Sequence, residues 1–90
     1  MLKIRDGFVL RNIIDEYVVM PVGVEMNSFS NLLVLNETGA YLWRCLQNGV
    51  PDEKVLVEQL HSEYDVTIDE AHNDVSAFVQ ELQRLALLDC

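Results

Sequence analysis

Apolar residues change their spacing once along this chain, near Asn36, and the change divides it into a strand-like part and a helical part. Upstream, Phe8-Val9-Leu10-Arg11-Asn12-Ile13-Ile14 and Tyr17-Val18-Val19-Met20 are rich in β-branched and aromatic residues, and only Asp15-Glu16 separates them. The pattern predicts a hairpin, although Asp-Glu is not the turn chemistry that two-residue hairpins favour. Pro21 and Gly23 end the second strand, and Leu32-Leu33-Val34-Leu35 forms a third short apolar run. Three strands in one antiparallel sheet are expected.

Downstream the signals are helical. Asn36 is placed to cap a first helix whose apolar face carries Leu42, Trp43 and Leu46, and Gly49 stops it. Pro51 suits the first turn of a second helix, Asp52 and Glu53 suit the positive end of its dipole, and Leu56, Leu60 and Tyr64 make an i, i+4, i+8 stripe. Thr67-Ile68-Asp69-Glu70 reads as a capping box, with Val66 and Ala71 as a staple. It opens a third helix with a stripe of Ala71, Val75, Phe78, Leu82 and Leu85. Three strands followed by three helices make an α+β, winged-helix-like pattern in which the helices cover one sheet face. Trp43, Phe78, Tyr64 and the leucines are the expected core.

Composition narrows the function. Ninety residues fit one small domain, and an apolar half is enough to build its core. Six basic residues against fifteen acidic ones give a charge of −9, which repels nucleic acid and anionic membranes. A winged-helix regulator would present Asp69, Glu70, Asp74 and Glu81 against the single Arg84 on its third helix, the wrong sign for a DNA groove. No membrane span or signal peptide is read, so the expected compartment is the cytoplasm. Cys45 and Cys90 lack metal-ligand spacing, so neither a metal nor a structural disulfide is expected.

Catalytic chemistry is sparse. His61 and His72 lie in different helices and outside any local motif, as surface histidines would. No Walker-type glycine loop, GxSxG elbow or HExxH is present. Gly39, early in the first helix, suggests close backbone packing. An acyl carrier would need a serine at a helix start in an Asp-Ser-Leu-like context, which Ser28, Ser30, Ser62 and Ser76 do not provide. Neither a catalytic site nor a cofactor is expected.

From Met26 to Asn36, eleven consecutive residues contain no charge, proline or glycine. Free sheet edges are normally guarded by such residues, because unpaired N–H and C=O groups recruit other strands. Two readings stay open: a central strand paired on both sides, or an edge that accepts an extended peptide.

The run Leu35-Asn36-Glu37-Thr38-Gly39-Ala40-Tyr41-Leu42-Trp43, then Asn48-Gly49, Tyr64-Asp65-Val66, Asp74-Val75 with Phe78 and Leu82, and Leu87-Leu88, resembles the PqqD family. The Phe8-to-Pro21 segment is similar too, so the resemblance spans nearly all of a single domain, residues 1–90. It implies a non-catalytic peptide-recognition element of a ribosomally synthesised, post-translationally modified peptide (RiPP) pathway. Such a module binds the leader of a precursor peptide and presents it to a modifying enzyme, often a radical SAM protein. In the family the leader adds as an antiparallel strand in the groove between the third strand and the third helix. Carried over, the peptide-binding residues would be Asn31, Leu32, Leu33, Val34 and Leu35, with Val75, Val79 and Leu82 on the far wall; core packing is the competing role for these last three. The remaining alternatives are a homodimer paired through the same edge and an adaptor for another protein.

Overall fold

A computed structural model describes residues 1–22 and 33–88 of the chain. Strands β1 (Phe8–Ile13), β2 (Glu16–Pro21) and β3 (Leu33–Leu35) precede helices α1 (Glu37–Asn48), α2 (Glu53–Glu63) and α3 (Ile68–Arg84). The α+β expectation of a three-stranded antiparallel sheet followed by three helices holds, with strand order β1-β2-β3. The likeness to a winged helix is one of analogy.

The hairpin turns one residue earlier than Asp15-Glu16. Ile14 and Asp15 form the turn, both with positive φ (45° and 66°), and Ile13 pairs with Glu16. These are the backbone angles of the mirror-image turn that matches strand twist. Asp tolerates them, whereas a β-branched isoleucine at positive φ costs about 1–2 kcal/mol. Register explains why the chain accepts the strain. The observed pairing sets Leu10 opposite Val19, where a turn at Asp15-Glu16 would set Asn12 there. Phe8, Leu10, Val19, Leu33 and Leu35 thereby share the face that packs on the helices.

Each helix begins on a side-chain cap. The Asn36 carboxamide oxygen accepts the Gly39 N–H at 2.8 Å, Asp52 accepts from Val55 at 3.2 Å, and Thr67 accepts from Glu70 at 3.1 Å. Because Asp52 is the cap of α2, Pro51 stands just outside that helix. Gly49, at φ 88°, ends α1 and returns its N–H to the Cys45 and Leu46 carbonyls. At the end of α3 the left-handed position falls on Ala86 (φ 58°). Its N–H bonds the Gln83 carbonyl, and the Leu87 N–H reaches Leu82, the paired bonds of a Schellman motif.

The core fills the space between the sheet and the helices. Trp43, Leu42, Leu46, Leu56, Leu60, Leu82, Leu87, Val19 and Val75 are its largest fully buried side chains. Phe78 and Tyr64, expected there, are only half-buried at its margin. The N-terminal residues lace both ends of the helical layer together. Leu2 bridges to Val50, Ile4 bridges to Leu88, and Arg5 donates to the Ala86 carbonyl at 2.8 Å.

Candidate functional site

Strand β3 lies at the end of the sheet order, and among the described residues no strand pairs with its outer side. Of the two positions the sequence left open, central or edge, β3 holds the edge position among the described residues. Asn31 and Leu32 lie outside the described residues, so the receiving segment is described for Leu33, Val34 and Leu35.

Backbone phase decides which of these three can receive a partner. In an antiparallel pair, successive residues direct their N–H and C=O groups alternately to one side and the other. The two-residue turn makes Ile13 and Glu16 a hydrogen-bonded pair, so Glu16, Val18 and Met20 address β1. Val22 continues that phase, its N–H bonding the Gly7 carbonyl at 2.8 Å. Tyr17 and Val19 therefore address β3, where their partners are Leu35 and Leu33. Val34, between them, directs its N–H and C=O to the open edge. Its side chain is 57% exposed and stands on the sheet face away from the helices, while Leu35 is buried and Leu33 half-buried beneath them. The edge thus combines backbone hooks at Val34 with an apolar floor from its neighbours.

Where β3 passes into α1, a cavity of about 290 Å³ lies between α1 and α3, lined by Asn36, Thr38, Gly39, Leu42, Asp74, Ala77 and Phe78. Gly39 keeps the start of α1 close to the strand. A Cβ there would stand 3.0 Å from the Asn36 Oδ1 and 3.4 Å from the Leu35 Cβ. The close-packing reading of this glycine therefore stands.

The α3 residues at this cavity differ from those named in the sequence analysis. Val75, Val79 and Leu82 are all buried, at 0%, 3% and 0% exposure, in the competing core role. Asp74, Ala77 and Phe78 take the flank beside the cavity instead. The available signal was helical phase: Phe78 lies at the rim of the stripe and Asp74 one turn before it. Val75, Val79 and Leu82 sit at the centre of that stripe, which packs into the core.

A second cavity, of about 480 Å³, opens at the hairpin end between Asn12, Asp15, Tyr17, Leu35, Asn36 and Glu37. Asn12, Tyr17 and Leu35 form one row across the sheet, and Asp15 and Glu37 contribute two acidic side chains to the lining. Arg44 lies over the Tyr17 ring, 5.6 Å from its centroid.

Among the described residues, Cys45 and Tyr41 share a side-chain hydrogen bond, and both are held in their protonated forms. Burial pushes the Cys45 thiol up, away from the reactive thiolate. Burial, with Cys45 and Glu63 nearby, pushes the Tyr41 phenol up to about 12. Tyr41 meets Tyr64 edge to face, with centroids 5.5 Å apart. His61 and His72 are both exposed, and His61 Nδ1 lies 2.7 Å from the Val66 carbonyl, bracing the turn between α2 and α3. Among the described residues no group of His, Cys, Asp and Glu is arranged to hold a metal ion, and no helix is long and apolar enough to cross a membrane.

Residues 16–88 match the family model described as coenzyme PQQ synthesis protein D (PqqD). The chain belongs to the PqqD family. The match begins at Glu16, so the part of the resemblance in β1 lies outside it. Among solved structures, this PqqD-family chain is similar to TbiB1 in complex with the TbiA(beta) leader peptide, at 25% identity and a TM-score of 0.74, covering 97% of this chain and 94% of that one. It also shares the fold of lasso peptide synthetase B1 complexed with the leader peptide, at 21% identity and a TM-score of 0.75, covering 99% and 98%. No curated protein matches it in sequence.

Proposed function

We propose that this chain is a non-catalytic, single-domain leader-recognition module of a RiPP pathway, acting across residues 1–90. The observation that carries the reading is the open β3 edge, with the Val34 N–H and C=O facing outward, in a PqqD-family fold whose structural neighbour TbiB1 is held in complex with a leader peptide. The leader adds antiparallel to β3, exchanging main-chain hydrogen bonds with Val34 and, beyond the described residues, with the segment containing Asn31 and Leu32. Leader residues flanking the one opposite Val34 point to the helix side, over Leu33 and Leu35 and toward Phe78 and Asp74. Phe78 offers these residues apolar contact. Asp74 favours a lysine or arginine next to the apolar anchor, in keeping with the charge of −9.

In this reading the module performs no chemistry of its own and presents the bound leader to a modifying enzyme, of the radical SAM class or another, in the cytoplasm. Amide NMR titration with the leader of the precursor peptide encoded beside the gene tests it. Saturable shifts concentrated at Leu33–Leu35 and Asp74–Phe78 are expected. No shifts at high peptide concentration would refute the reading, and a dimer paired through β3 that leader does not dissociate would replace it with self-association.

A further inference from the structure

On the opposite flank of α3 from Asp74 and Phe78, α2 and α3 enclose a third cavity, of about 460 Å³. Its floor is Val57 and Val75, both buried, and its lip is Ile68, which remains 49% exposed although it is large and aliphatic. Glu53 and Glu58 stand on the α2 rim against a single Lys54. On α3 the lining residues Ile68, His72 and Ser76 recur every four positions, which is one continuous flank of the helix. A peptide seated on β3 would lie against the other flank and leave this one open.

We propose that the α2–α3 cavity is the docking surface for the modifying enzyme, and that it takes an enzyme segment carrying an aliphatic or aromatic side chain flanked by lysine or arginine. This rests on the leader-presenting reading above, since a presenting module must hold peptide and enzyme at once. The apolar floor and the exposed Ile68 supply the anchor site that an interface centre requires. The acidic rim selects the charge of the flanking residues and steers encounter. Charge also argues against a second copy as occupant. A chain with fifteen acidic and six basic residues offers a like-signed surface to the rim.

The test uses the whole chain, the purified modifying enzyme encoded beside its gene, and the synthetic leader. Two variants are compared with wild type, Glu58→Lys and Ile68→Asp. Ile68 is the first residue of α3 after the Thr67 cap, where an acid suits the helix dipole, so the second variant removes the anchor without weakening the helix. Each is expected to weaken enzyme binding by about tenfold or more, while leader affinity stays within about twofold of wild type. Wild-type enzyme binding should also weaken as salt rises. Enzyme affinity unchanged in both variants, or no enzyme binding by wild type, would overturn the proposal. So would a dimer that either variant dissolves, because the occupant would then be a second copy. Failure of leader to bind wild type refutes the earlier reading separately, and it is read in a titration without enzyme.

Discussion

Proline scanning of β3 separates backbone recognition from side-chain packing. Val34 directs its N–H away from β2, so Val34→Pro leaves the β2–β3 ladder intact and removes only a donor at the open edge. Its side chain is 57% exposed, and little packing is lost; the expected destabilisation is within about 1 kcal/mol. A leader strand paired with Val34 would, however, lose the donor to one of its carbonyls in a desolvated groove. An unmatched group there costs about 1–3 kcal/mol, which is about 5- to 150-fold in affinity. Leu33→Pro inverts the pattern, because the Leu33 N–H addresses Val19 and its side chain packs on the core. It should cost about 1–3 kcal/mol of fold stability. Val34→Ala, which keeps the N–H, is the control and should bind within a few-fold of wild type. Calorimetric titration with leader gives the affinities, and urea unfolding followed by the fluorescence of the single buried Trp43 gives the stabilities. A folded Val34→Pro protein that binds leader as tightly as Val34→Ala would refute the phase assignment and, with it, strand addition at this edge.

Other perturbations probe the scaffold and the groove. Ala86→Gly relieves a left-handed alanine in the Schellman turn and should stabilise the fold by about 1 kcal/mol, raising Tm by roughly 4–8 °C in a scanning calorimeter. Gly49→Ala should destabilise by about 1–2 kcal/mol through its positive φ, since the nearest obstacle to a Cβ is only the flexible end of Met1. Phe78→Ala should weaken leader binding about tenfold or more in the same titration, if the half-buried ring supplies the apolar wall of the groove. For Tyr41 the folded pKa, about 12, lies above the ordinary value of 10.0. Folding therefore holds this proton longer than unfolding does, and the contribution, complete below pH 10, is lost as pH rises from 10 towards 12. Urea midpoints should fall over that window, and Tyr41→Phe should flatten the fall; equal slopes in the two proteins would refute it.

Local sequence determined the elements because their signals act over a few residues. Asn36, Thr67 and Gly49 cap or stop helices through bonds that close within one turn, and the apolar stripes state which helix face is buried. The PqqD motifs were legible for a related reason: Gly39, at the junction of β3 and α1, and Trp43, in the core, meet packing demands fixed at their own positions. The hairpin turn falls one residue before Asp15-Glu16 because the cross-strand pairing of Leu10 with Val19 outweighs the strain at Ile14, a balance that turn chemistry alone does not express. Tertiary structure alone decided the rest. Whether β3 is central or at the edge depends on strand order, which no local pattern encodes. That Val34 rather than Leu33 faces outward follows from hydrogen-bond phase relayed from the turn through β2. Val75, Val79 and Leu82 became core because α3 is covered along its stripe, leaving Phe78 on one flank and Ile68 on the other at open cavities. Local chemistry fixes where each element begins and which way it faces, whereas edges and clefts exist only between elements, once packing has determined what is left uncovered.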